Sequence, residues 1–176
     1  MPEQPRRPDR PDRLDLIGDA WRRERPDVDL RPQQVVGRLH RVANHLTDAL
    51  VEVYARHGLS EGDFDVLATL RRIGEPFERS PGDLAAHTLV TSGGMSKRID
   101  RLERAGLVAR RTSDTDGRAR VVALTDRGRD VVDAAFTDHM ANERRLLDAL
   151  TPADADTLER ILRTWLAALE EPPTTA

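Results

Sequence analysis

Residues 91–110 read TSGGMSKRIDRLERAGLVAR. The composition forms helix, yet Gly93 and Gly94 stand near its start, and each glycine costs about 1 kcal/mol against alanine inside a helix. Lys97, Arg98, Arg101 and Arg104 follow along it. At about 100° per residue over 91–105, Met95, Ile99 and Leu102 share one narrow face, which is the buried one. The opposite face collects Gly93, Gly94, Lys97, Asp100, Arg101 and Arg104. A bare backbone beside cationic side chains at a helix N-terminus suits close approach to an anionic surface, and the helix dipole adds attraction.

The flanks extend the reading. Ser80, Pro81 and Asp83 form a helix start leading into DLAAHTL. After Gly106, LVARR and RVVAL read as two β-strands separated by TSDTDGRA, a polar tip holding Asp and Gly. Helix, basic helix and Arg-tipped hairpin in this order predict a winged helix-turn-helix. The second helix enters the major groove of double-stranded DNA with its N-terminal residues on base edges, and the tip sends Arg118 to the minor groove.

The charge distribution agrees. The 176-residue chain has a net charge of −3, but residues 97–120 carry eight basic and four acidic side chains, and residues 126–171 carry six and eleven. An acidic body with one basic segment is the electrostatic outline of a phosphate-binding surface. A merely solvated charged face is the alternative reading. There is no cysteine, which excludes disulfides and thiolate metal sites. No apolar run is long enough for a membrane span and no signal segment opens the chain, so a cytoplasmic protein is expected.

Elsewhere the pattern is helical. Residues 1–13 are Pro- and Arg-rich and are expected to be a disordered tail. Leu14, Ile17 and Trp21 keep helical spacing up to Pro26. Pro32 opens a long helix whose stripe runs Val35, Val36, Leu39, Val42, Leu46, Leu50 and Val53, closed by Gly58. Ser60 with Asp63 resembles a capping box before FDVLATLRRIG. Thr125 and Thr151 cap two further helices, roughly 126–149 and up to about 169. The fold class is mainly α with a small β-hairpin wing. The expected division is an N-terminal tail (1–13), dimerisation helices (14–57), a DNA-binding domain (58–125), C-terminal dimerisation helices (126–170) and a tail (171–176). The outer helices carry more apolar surface than one reading domain can cover, which points to a second copy of the chain.

SGGMSKRIDRLERAGLVARR, DTDGR and VVALTDRGRDVV together resemble the MarR (multiple antibiotic resistance regulator) family of winged-helix transcription factors, over roughly 32–169. The resemblance implies an interleaved-helix homodimer on a short pseudo-palindrome, and repression relieved by a small molecule. It implies base-edge contacts from Ser92, Gly93, Ser96 and Lys97, and phosphate or minor-groove contacts from Arg101, Arg104, Arg118 and Arg120. The wing tip departs from the family's frequent Asp-Arg-Arg: here it is Asp116-Gly117-Arg118.

WRRERPDVD (21–29) and EGDFDVLATL (61–70) resemble the branch related to urate-responsive regulators and PecS repressors, which has an extra first helix. That resemblance implies a ligand set of Trp21, Asp65, Arg98 and Arg110, suited to a small anionic or aromatic effector. On the wheel Arg98 sits at the edge of the buried face, where it can turn inward. Asp65 falls on the polar side of its helix, away from Phe64, Leu67 and Leu70. Trp21 as a plain helix anchor, and Arg98 or Arg110 as phosphate or ion-pair groups, are the competing readings.

Nothing points to an enzyme or a cofactor: there is no Cys nucleophile, no Gly-rich phosphate loop after a strand and no HExxH. The five histidines (His40, His45, His57, His87, His139) are scattered; His139 and Glu143 share a helix face at i, i+4, a spacing that could ligate a metal, but a solvent-exposed pair is the expected reading and no metal site is expected. A helical interaction module without DNA binding is the remaining alternative class.

Overall fold

The computed structural model describes residues 11–88, 94–112 and 120–170. The elements run α1 (Arg13–Glu24), α2 (Arg31–Arg56), α3 (Glu61–Arg72), β1 (Glu78–Arg79), α4 (Pro81–His87), α5 (Met95–Arg104), β2 (Val108–Thr112), β3 (Arg120–Leu124), α6 (Asp126–Leu147) and α7 (Pro152–Glu170). They form two compact units, one of residues up to 43 together with those from 143 onward, the other of residues 44–142. Among the described residues no helix is long and apolar enough to cross a membrane.

In the first unit, Asp12 caps α1. Its carboxylate accepts from the Leu14 N–H at 2.7 Å and the Asp15 N–H at 3.0 Å, and Asp15 reciprocates towards the Asp12 N–H at 2.9 Å. This capping box holds one orphan donor at each end of the turn. Arg38 on α2 then reaches both carboxylates, Asp12 at 2.8 Å and Asp15 at 2.6 Å, while Gln34 donates to the Leu14 carbonyl at 3.1 Å. Leu14 is buried against that side of α2. The unit's other long element, α7, buries none of its residues, and Leu158, Ile161, Leu162, Leu166 and Leu169 stand exposed along one stripe.

The second unit has one continuous apolar core. Leu67, Leu70, Leu84, Ile99, Leu102 and Val122 are fully buried at its centre, drawn from α3, α4, α5 and β3. Each such side chain contributes about 1.5–3 kcal/mol relative to exposure, which is what holds short helices together here. The Ser60–Asp63 capping box forms as the spacing predicts, with the Asp63 N–H donating to Ser60 Oγ and the Ser60 N–H to Asp63 Oδ2. Ser80 Oγ accepts from the Asp83 N–H at the start of α4, and Thr125 Oγ1 accepts from the Gly128 N–H at the start of α6.

Three features differ from the sequence expectations. First, α5 begins at Met95, and Gly94 is its N-cap at φ 119°, with no side-chain cap bond. Gly94 is therefore required by a backbone conformation that side-chain-bearing residues avoid, and not as a bare patch within the helix. Second, β2 and β3 pair with Val108 opposite Leu124 and Thr112 opposite Arg120, but a third strand joins them: β1 pairs antiparallel with β3, giving the order β1-β3-β2. Third, α3 is buried on nearly all sides, from Gly62 to Leu67 and at Thr69 and Leu70. Asp65, expected on a polar face, is only 8% exposed.

Candidate nucleic-acid interface

The basic helix α5 is sorted by its packing. Met95, Ile99 and Leu102 are buried, as the wheel predicts, because α3, α4 and β2 pack against that side. Ser96, Lys97 and Arg104 are exposed, and Arg104 steadies itself by donating from Nε to the Asp100 carbonyl at 3.2 Å. Arg120 is exposed at the start of β3, opposite Thr112. Ser92, Gly93 and Arg118 lie outside the described residues. A helix with one buried stripe and an outward Ser96, Lys97 and Arg104 can lie along a phosphate-lined groove with a cation on a base edge.

Two of the basic residues turn to the protein instead. Arg101 donates from Nε at 3.0 Å and from Nη2 at 2.6 Å to Asp63 Oδ1, and from Nη2 at 3.0 Å to Ser60 Oγ. Asp63 is 6% exposed on its side chain while Arg101 is 52% exposed, so the carboxylate is internal and the guanidinium straddles the surface. Arg98 lies across the first turn of α3, close enough that a Cβ at position 62 would fall 2.6 Å from its Nε. Sequence reasoning recognised Asp63 only as a cap; its ion pair with Arg101 crosses 38 residues of chain, and no local signal announces it.

Residues 57–119 match the MarR family. Over 146 residues, 83% of this chain and 88% of the relative, the sequence is 36% identical to the HTH-type transcriptional regulator PecS of Dickeya dadantii. The chain belongs to the MarR family. Among solved structures, it is similar to the MarR-family regulator Sco3205 of Streptomyces coelicolor in complex with DNA, with a TM-score of 0.70 and 26% identity over 83% of this chain and 91% of that one. It is also similar to the Mycobacterium tuberculosis MarR-family protein Rv2887 in complex with salicylic acid, with a TM-score of 0.57 and 31% identity over 72% of this chain and 92% of that one. The protein is thus a DNA-binding transcriptional regulator of the MarR/PecS type, not an enzyme.

In this MarR-family chain the four residues of the implied ligand set lie in different surroundings. Trp21 belongs to the first unit and is 48% exposed on α1. Asp65, Arg98 and Arg110 belong to the second. Asp65 is buried one turn beyond Gly62, which Arg98 covers, so the structure brings Asp65 and Arg98 to the same end of α3. Arg110, on β2, is held by the carboxylates of Asp100 and Glu103 on α5. The hydrogen bond that Arg110 donates to Asp100 leads the effects that keep its proton bound more firmly than usual, against opposing desolvation. His139, considered with Glu143 for a metal, contacts the Tyr54 hydroxyl through Nδ1 at 3.0 Å. Among the described residues no group of three or more His, Cys, Asp or Glu is arranged to hold a metal ion.

Proposed function

We propose that this regulator is a cytoplasmic repressor that binds a pseudo-palindromic operator as a homodimer, and that a small anionic aromatic compound such as urate lowers its affinity for DNA. Residues 58–125 form the reading lobe, with 14–57 and 126–170 as dimerisation segments. Base edges are read by Ser92, Gly93, Ser96 and Lys97, and phosphates or the minor groove by Arg104, Arg118 and Arg120.

The observation that carries the DNA reading is the division of α5 into a buried triad, Met95, Ile99 and Leu102, and an outward Ser96, Lys97 and Arg104. The DNA complex of Sco3205, a relative of the same fold, supports it. Dimerisation is supported by the unburied apolar stripe of α7, which a second copy would cover. The salicylic acid complex of Rv2887 and the relation to PecS support a small aromatic anion as effector. Trp21, Asp65, Arg98 and Arg110 are its proposed contacts: two guanidinium forks and an aromatic plate match such an anion in charge and shape.

The test is fluorescence anisotropy of duplex DNA from upstream of the protein's own gene, titrated with protein at several salt concentrations, with and without millimolar urate or salicylate. The expected result is binding that weakens steeply with salt and is released by one of the two anions. Binding indifferent to both anions would remove the effector and leave the regulator. In that event the hold of Asp100 and Glu103 on Arg110 would be its whole role.

A further inference from the structure

Two arginines of the reading helix, one turn apart, rest on one turn of another helix. Arg98 lies over Gly62 and Arg101 forks onto Asp63 and Ser60, so the first turn of α3 is the seat on which α5 is held. We propose that Gly62 and Asp63 are positioning residues for DNA binding: they seat α5 through Arg98 and Arg101, and Arg101 serves this seat instead of a phosphate.

Three observations carry this. The Asp63 carboxylate is internal and divides its two oxygens, Oδ2 closing the capping box at Ser60 and Oδ1 accepting both arms of Arg101. An internal carboxylate needs such a partner, since an unpaired buried charge is strongly unfavourable. The Arg101 guanidinium therefore reaches a phosphate only by abandoning Asp63. Position 62 in turn tolerates no side chain while Arg98 is in place: a Cβ there would approach Nε, Cζ and Cδ of Arg98 at 2.6, 3.1 and 3.2 Å. The glycine is thus fitted to the arginine, and its backbone φ is ordinary. The first turn of α3 directly follows the end of α2, through Gly58 and Leu59.

The inference rests on α5 being the reading helix, and the experiment separates the two ideas. DNA affinity of the full-length protein is measured by anisotropy at four or more salt concentrations, at a temperature where thermal melts show every variant folded. The variants are Lys97→Ala, Asp63→Asn, Arg101→Gln, the Asp63→Asn/Arg101→Gln double variant, and Gly62→Ala. Asn at 63 keeps one acceptor oxygen for the capping box and turns an amide NH2, which cannot accept from Arg101, towards the guanidinium. The three nearest atoms that the methyl group of Gly62→Ala would meet all belong to the flexible Arg98 side chain, so the substitution unseats Arg98 first.

Asp63→Asn, Arg101→Gln and Gly62→Ala are each expected to weaken binding about tenfold with the salt slope unchanged, and the double variant to be no weaker than the worse single one. Lys97→Ala is expected to weaken binding as a direct contact does. A salt slope reduced by about one in Arg101→Gln, with Asp63→Asn binding like the parent, would make Arg101 a phosphate ligand and overturn the proposal. Normal binding by Lys97→Ala would instead overturn the reading of α5 itself. Should Asp63→Asn fail to fold, Arg101→Gln against Gly62→Ala decides on the same slopes.

Discussion

Arg110 on β2 and Glu103 on α5 are joined twice. The Arg110 backbone N–H donates to Glu103 Oε1 at 3.1 Å, and its guanidinium donates to Oε2, while its other arm takes Asp100. The last turn of α5 and the strand that follows are therefore tied by side chains as well as by the turn at Gly106. The start of β2 and the end of α5 are thus held to each other.

Breaking that tie should cost recognition more than folding. Arg110→Ala is expected to lower stability by no more than about 1 kcal/mol, since the pair is partly exposed and solvent screens it. DNA affinity should fall with the salt slope intact. Thermal melts and salt titrations read both quantities; a slope lower by about one would place Arg110 on a phosphate instead.

Gly94 should resist substitution for a backbone reason. Nothing stands within 4 Å of a Cβ built there, yet φ is 119°, so the cost of Gly94→Ala is conformational and not a clash. About 1–3 kcal/mol of stability should be lost. For a chain of this size that lowers Tm by a few degrees per kcal/mol. An unchanged Tm would mean that α5 starts some other way.

Acid should loosen α1 from α2. Hydrogen bonding from the Asp15 N–H, with Arg38 adding to it, holds the Asp12 carboxyl below its ordinary value of 3.8. The native value lies under the unfolded one, so the stabilisation is complete above 3.8 and disappears as pH falls through the native value. Trp21 fluorescence in a Trp165→Phe background should change in that acid range, and Asp12→Asn should show the loosened signal already at neutral pH. Coincident titrations of the two proteins would rule out Asp12 as the cause.

The apolar stripe of α7 should be the place where a second chain docks. Leu162→Glu with Leu166→Glu replaces side chains that a single chain leaves exposed, so the monomer loses little. Light scattering after size exclusion is expected to give half the parental mass, with loss of operator binding. A dimer mass that persists would move the interface elsewhere.

The sequence by itself determined what depends on neighbours a few residues away. The stripes that make α2, α5 and α6, the caps at Ser60, Ser80, Thr125 and Thr151, and the buried triad of α5 all follow from a 3.6-residue period and from short hydrogen bonds within one turn. The family resemblance was legible for the same reason, since its motif is one continuous segment. Only the tertiary structure decided what faces each helix. A wheel gives the angle at which Asp65 leaves α3 but not the elements packed around it, and so the residue that looked solvated is buried. The pairing of β1 with β3, the seat of Arg98 and Arg101 on α3 and the hold of Asp100 on Arg110 join residues that no local period relates. A charged side chain's partner is settled by which surfaces the core's burial brings together. That burial is a property of the whole lobe.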